Sequence, residues 1–289
     1  MKEGAVPLLA EAASVLSGQA PAEAPKTPLH VGVDLGTATM VLLVLDKDRR
    51  PIDGRWRPAQ VVRDGLVVDF IGAVDQLKAM KSEIETDLDQ TLVSAFSAYP
   101  PGIPEAERRA IAHVVESAGM ECLVLVDEPS AANQVLGLAD GAIVDIGGGT
   151  TGIAILQDGE VVYTADEATG GTHFNLVIAG ALDLEYEQAE RLKETPEEHD
   201  RLRGVVRPVI EKIGSIINRH VEGWQVPSIT LVGGASAFRG IDGIIQETTN
   251  KPTTVAPHTQ WVTPLGIALS KAHSNRGAKL PSLVNRSIS

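Results

Sequence analysis

At 289 residues with 43% apolar side chains, the chain is long enough for two domains of roughly 100–150 residues, each with its own core. A net charge of −13 and a pI near 5.0 argue against a broadly basic nucleic-acid surface and against attraction to acidic membranes. No apolar run reaches the roughly 18 residues of a membrane span, and the single cysteine, Cys122, has no partner for an internal disulfide, which fits a reducing cytosol.

At the N-terminus, Val6, Leu9, Ala13 and Leu16 recur at helical spacing with Glu11 opposite, predicting one short amphipathic helix. Glu3 and Glu11 spoil a signal peptide. A Pro/Ala-rich spacer, 18–28, follows, so 1–29 reads as a helix and linker appended to the first core strand. The helix either packs on its own domain or lays its apolar face in a partner's groove.

From Leu29 the pattern predicts a strand, a Gly-Thr turn, a second strand and a polar turn over 46–50. A strand or loop at 61–70 leads to a helix over 72–89 with Leu77, Met80, Ile84 and Leu88 on one face. A strand at 92–98, a helix at 105–118 stopped by Gly119 and a strand at 122–126 come next. Pro129 opens a helix that runs to about Leu136. The second half begins at Gly141 with two strands, turns at Asp158-Gly159 and returns through Tyr163. Helices are expected at 173–181, 185–194 and 203–222, with a polar loop at 195–200 between the last two. A strand at 228–232 and a small-residue helix at 262–269 close the ordered chain, and the tail after 272 is polar. Alternating strands and helices imply an α/β fold with mostly parallel sheets.

Chemistry concentrates in two matching stretches. Val144-Asp145-Ile146-Gly147-Gly148-Gly149-Thr150-Thr151 joins two apolar runs through an acidic residue, three glycines and two threonines. Glycines let backbone N–H groups close on an anion, Thr150 and Thr151 hydroxyls can add donors, and Asp145 can hold a hydrated cation. Val33-Asp34-Leu35-Gly36-Thr37-Ala38-Thr39 repeats that order in the first half. Two such hairpins suggest duplicated lobes facing each other across one triphosphate. Each glycine turn leads into a strand and neither is followed by Lys-Ser/Thr, which excludes the Rossmann and P-loop readings. Glu128, at a helix entrance, is either a water-ordering carboxylate or a cap. Gly170-Gly171 and Gly233-Gly234 are further glycine turns between a strand and a helix.

These segments, in this order, resemble the actin/Hsp70/sugar-kinase ATPase superfamily. Residues 34–39 resemble its first phosphate loop, 145–151 its second, 128–136 and 264–269 its two connecting helices, and 231–238 its adenosine segment. Val61-Val62-Arg63-Asp64-Gly65, Asp127-Glu128-Pro129, the stretch from Val144 to Ile155 and Ala165-Asp166-Glu167-Ala168-Thr169-Gly170-Gly171 further resemble the ethanolamine-utilisation EutJ family. The resemblance implies a two-lobed actin-like ATPase fold of duplicated ribonuclease-H-like domains with small outer subdomains. Lobe I would span 30–136, with 262–275 returning to it, lobe II 137–261, and 276–289 would be a polar tail.

By the same resemblance, the cofactors are ATP and Mg²⁺. Asp34 and Asp145 approach the metal through water, and Glu128 orients the attacking water. Gly36, Thr37, Ala38, Gly147, Gly148, Gly149 and Thr150 cradle phosphates, while Gly170, Gly171, Gly233, Gly234 and Ser236 line the nucleoside. No counterpart of the lysine that Hsp70 proteins carry in their first lobe is placed by the sequence, and no Hsp70-type peptide-binding domain is expected after the second connecting helix. The expected activity is therefore slow ATP hydrolysis in a chaperone-like assembly or reactivation factor. Its expected setting is the cytosol, with or inside a bacterial microcompartment, acting on a microcompartment enzyme or shell component. The alternative is a catalytically weak nucleotide-binding scaffold. The N-terminal helix and linker also resemble microcompartment encapsulation peptides.

Overall fold

The structure, a computed structural model, describes residues 1–2, 4–19, 26–59, 61–63 and 66–271, without the side chains of 62, 63 and 66. The readings placed on 20–25 of the spacer, on the tail from 272 and on the Arg63 side chain lie outside the described residues. The first half runs α1 (Ala5–Leu16), β1 (His30–Leu35), β2 (Thr39–Leu45), β3 (Pro51–Pro58), β4 (Val62–Arg63), β5 (Leu66–Val67), α2 (Phe70–Leu88), β6 (Ser94–Tyr99), α3 (Glu105–Ser117), β7 (Glu121–Asp127) and α4 (Glu128–Leu136). The second runs β8 (Gly141–Ile146), β9 (Thr151–Gln157), β10 (Glu160–Glu167), α5 (Gly171–Leu182), α6 (Tyr186–Glu194), α7 (His199–Val221), β11 (Ile229–Val232), α8 (Ile241–Thr249), β12 (Thr253–Val255) and α9 (Val262–Ala268).

Two five-stranded sheets are ordered β3-β2-β1-β6-β7 and β10-β9-β8-β11-β12, the same path traced twice. In each, three strands form an antiparallel meander and two more add in parallel. The sheets are thus mixed rather than mostly parallel, because tight turns join the first three strands while helices carry the later crossings. β2 is buried on both faces: Met40, Leu42 and Val44 face a core shared with α2 and α3, whereas Val41, Leu43 and Leu45 face a core shared with α1, α4 and α9. Ile143, Leu156 and Val232 of the second sheet enter that same central core, and its other face packs on α5, α7 and α8. One apolar layer therefore lies between the two sheets.

Helix ends follow their local chemistry. Asp69 accepts from the Gly72 N–H at the start of α2, and Asp127 accepts from the Ser130 N–H at the start of α4, which has Pro129 in its first turn and left-handed Gly137 past its end. Where α4 and α9 cross, a Cβ on Gly266 would fall 1.8 Å from the Ala131 carbonyl oxygen, so the two backbones touch.

Three readings need correction. α7 begins at His199, inside the expected loop, because the His199 ring is buried against Phe238 at 4.3 Å and bonds to the Lys193 carbonyl and the Arg239 N–H. β3, α8 and β12 had no sequence assignment. In α1 the buried stripe is Ala5, Leu9, Ala12 and Leu16 with Val15, while Val6 is exposed, so the helix is turned from the expected Val6/Ala13 face. It packs on β3 and α9 of its own chain. Burial and the nearby Glu116 push the half-buried Cys122 thiol up to about 11, which keeps it protonated and unreactive. No helix among the described residues is long and apolar enough to cross a membrane.

Candidate functional site

The two glycine hairpins are built alike. Gly36 N–H donates to the Thr39 carbonyl at 3.0 Å, and Gly147 N–H donates to the Thr150 carbonyl at 3.0 Å, closing one four-residue turn in each lobe. One strand position before the last paired residue stands an aspartate, Asp34 opposite Val41 and Asp145 opposite Gly152. The turns meet tip to tip: a Cβ on Gly148 would lie 2.6 Å from the Ala38 Cβ, and one on Gly149 would lie 2.9 Å from the Thr37 Cγ2. Only glycine permits this approach.

The back of the second turn is fixed by α5. Gly171 N–H donates to the Gly147 carbonyl (2.9 Å) and Thr172 N–H to the Gly148 carbonyl (2.7 Å). In a trans peptide the C=O and the following N–H point opposite ways. With both carbonyls drawn toward α5, the Gly148 and Gly149 N–H groups turn away from it, which leaves them free of that helix. Gly170 is held just as closely, since a Cβ there would fall 2.7 Å from the Gly147 carbonyl oxygen. The Thr151 hydroxyl, by contrast, is buried and donates to the Thr169 carbonyl at 2.5 Å. It ties the two loops together and is not available as a phosphate donor.

Beneath the turns, Asp34, Asp145 and Glu128 stand within electrostatic reach of one another. Asp127 occupies the cap of α4, which leaves the Glu128 carboxylate free to point into this cluster. Burial pushes Asp34 up to about 7, with the Asp145 charge adding to it. Burial, and then Asp34, Asp145, Asp166 and Asp127, raise Glu128 well above the usual carboxylate range. Asp145 is also raised by burial, opposed by the Thr263 hydroxyl, which donates to Asp145 Oδ2 at 3.0 Å. Among the described residues no three of these groups converge tightly enough to ligate a metal directly. Crowded, desolvated carboxylates suit a hydrated divalent cation held through water.

The remaining predicted residues lie on the lobe II side. Gly233 has φ +88, and a Cβ there would fall 2.2 Å from Asp145 Oδ1, so this backbone forms a wall of the acidic crevice. Gly234 is exposed beside it, while Ser236 is buried with its hydroxyl donated to the Val232 carbonyl at 2.6 Å.

Two side chains escaped sequence reasoning. Lys193 falls in the charged helix expected over 185–194, and its Nζ comes within 3.6 Å of a Cβ placed on Gly171, beside Ala235. Burial lowers its pKa, with Glu190 and Glu194 opposing. Glu190 accepts from the Asn175 amide, whose own buried oxygen has no protein partner. Thr263 was hidden as a hydroxyl in an apolar helix, which carries no pattern. An open dish of about 820 Å³, lined by residues such as Asp140, Trp224 and Lys251, lies at the opposite end of the second sheet, away from this chemistry.

The raised carboxylates make stability pH-dependent. A carboxyl at about 7 in the fold, against 3.8 as an ordinary value, binds its proton more tightly when folded. Its contribution is therefore fully present below pH 4 and is lost as pH rises toward 7. Asp34→Asn should stabilise the metal-free protein at pH 8 by about 2–4 kcal/mol more than at pH 4, read from melting temperatures. An equal shift at both pH values would refute the assignment.

Duplicated sheets of one path, presenting paired Asp-Gly turns over two crossing helices, are the architecture of two-lobed, actin-like proteins. The family model for MreB/Mbl protein matches residues 55–193, and that for cell division protein FtsA matches residues 142–275. MreB5 of Spiroplasma citri bound to AMPPNP shares the fold with a TM-score of 0.69 at 20% identity, over 84% of this chain and 95% of that one. The chain is 40% identical over 259 residues to ethanolamine utilization protein EutJ of Salmonella typhimurium, covering 89% of this chain and 91% of the relative. The crystal structure of EutJ from Carboxydothermus hydrogenoformans matches with a TM-score of 0.87 and 41% identity, over 92% and 97% of the two chains. The chain belongs to the EutJ family.

Proposed function

We propose that this chain binds ATP with Mg²⁺ between its two glycine turns and uses the nucleotide to set the separation of its lobes. In this role it is a chaperone-like assembly or reactivation factor in ethanolamine utilisation, working with or inside a bacterial microcompartment. The observation that carries the reading is the tip-to-tip meeting of two identically closed turns above Asp34 and Asp145. With the Gly36 and Gly147 N–H groups closing their turns, the backbone N–H groups of Thr37, Ala38 and Gly148 to Thr150 would hold the phosphates, and the two aspartates would orient the water shell of the cation. Gly170, Gly171, Gly233 and Gly234 would admit the nucleoside, with Lys193 and Glu190 beside it. Because the turns touch, phosphates enter only when the lobes part, and their contacts then define a second lobe spacing. A relative of this fold bound to AMPPNP supports the ligand class.

Glu128 would order the attacking water, but burial and the charges of Asp34 and Asp145 hold its carboxyl well above the usual carboxylate range. That observation favours slow turnover, and it keeps alive a second reading, a nucleotide-binding scaffold without useful hydrolysis. Calorimetry with Mg-ATP and Mg-ADP tests the first claim, and absence of affinity for either removes it. Phosphate release separates the two readings. Glu128→Gln should slow release at least about tenfold while affinity stays within about threefold, as expected for a group acting in the transition state alone. Nucleotide held for hours without phosphate appearing in the unmodified protein would select the scaffold. A pull-down with and without ATP identifies the client.

A further inference from the structure

The N-terminal segment does more than cover an apolar surface. Leu16 fits a hollow made by Gly54 of β3, where a Cβ would lie 2.8 Å from Leu16 Cδ2. Glu11 forms a two-pronged ion pair with Arg50, whose Nε donates at 2.6 Å. So seated, α1 delivers Lys2 to the C-terminal end of α4. The Lys2 N–H donates to the Leu136 carbonyl (2.8 Å), its Nζ donates to the Gln134 carbonyl (2.9 Å), and its stem lies against Gly137. These carbonyls are the unsatisfied end of a helix dipole, where a cation and an N–H donor are both stabilising. The other crossing is held the same way: Arg49, next to the residue that grips Glu11, donates to the carbonyls of Ala268 (3.4 Å) and Ser270 (3.2 Å) at the end of α9. α1 itself packs on α9 as well as on β3.

We propose that the N-terminal segment is a brake on lobe movement, with α1 as its anchor on lobe I and Lys2 as its grip on the end of α4. The inference rests on the nucleotide-driven lobe movement above and adds its regulation. While α1 is seated, both crossings between the lobes have their C-terminal carbonyls tied to lobe I or its N-terminal arm. When α1 leaves its seat, α4 loses those ties at Gly137, where the chain passes from one sheet to the other. The lobes then part more readily and bound nucleotide exchanges faster. The helix is short enough to be only marginally stable off its seat, so the brake is either fully seated or lost.

The test uses the full chain and three variants: Lys2→Glu, Glu11→Arg, and Glu11→Arg combined with Arg50→Glu. Two quantities are read: amide hydrogen exchange at 134–141 and 262–270 in nucleotide-free protein, and release of a fluorescent ADP analogue by stopped flow. Lys2→Glu and Glu11→Arg should each raise exchange at 134–141 and speed release by about three- to thirtyfold, and the charge-swapped pair should restore both. Deleting residues 1–17 should exceed either single variant, and adding the 1–17 peptide back should slow release again. If that truncation fails to fold, the point variants decide. Exchange and release unchanged in both single variants would overturn the brake. Hydrogen exchange needs no nucleotide, so a protein that binds no ADP yet loosens at 134–141 would contradict the nucleotide reading and leave the clamp on α4 standing.

Discussion

Gly266→Ala should be strongly destabilising, since among the described glycines an added Cβ makes its shortest backbone contact here. The added Cβ would sit 1.8 Å from the Ala131 carbonyl oxygen and 2.4 Å from its carbon, both backbone atoms that no rotamer change can move aside. α4 and α9 would have to separate, opening the central apolar layer that both sheets share. Overpacking of this kind costs about 3 kcal/mol, which for a chain of this size lowers the melting temperature by about 6–12 °C. Function should fall with it, because α4 carries Glu128 at its start and α9 carries Thr263 against Asp145. Gly180→Ala, at an exposed position of α5, is the control, since nothing lies within 4 Å of a Cβ there. That change should be neutral or slightly stabilising through helix propensity. Scanning calorimetry of the two variants decides, and similar melting temperatures would mean that the crossing is not a close contact.

Asp145→Ala should sharply weaken the magnesium dependence of nucleotide binding. The carboxylate is walled in by Gly233, accepts from Thr263 and raises the neighbouring Glu128 and Asp34 through its charge. Without it the hydrated cation loses one of two anchoring carboxylates, a loss of about 2–3 kcal/mol, or roughly 30- to 150-fold in Mg-ATP affinity. Binding of ATP without metal should hold or improve, because a negative charge beside the phosphates is gone. Titrations with and without Mg²⁺ distinguish this from general damage. An equal loss in both would show that Asp145 shapes the turn rather than serving the cation.

The EutJ relationship gives these tests their setting, since it spans nine-tenths of the chain at 40% identity. The more distant likeness to MreB5, at 20% identity, carries the fold alone.

What could be read from the chain was local. Each glycine turn is one continuous stretch in which an apolar strand, an aspartate and glycines force a hairpin, so both were legible, and so was their duplication. Long amphipathic helices such as α2 and α7 were legible for the same reason: one face repeats at 3.6 residues and must be buried. β3 escaped because its alternate residues Asp53, Arg55 and Arg57 look like a loop, although on this edge strand the arginines pair with Glu83 and Asp87 of α2. β12 is three residues long and exists only as the parallel neighbour of β11. The seated face of α1 was decided by the hollow at Gly54 and by Arg50, neither of which the helix's own periodicity contains.

The same division runs through the site. Which residues form the turns, and that aspartate and glycine must be their chemistry, followed from the order of side chains, because backbone conformation responds to its nearest neighbours. That Gly148 meets Ala38, that Thr263 reaches Asp145 and that Lys193 turns in toward Gly171 could come only from folding. Those contacts join segments far apart along the chain, and their geometry depends on how two sheets settle around one apolar layer, a property of packing that no stretch of sequence holds by itself.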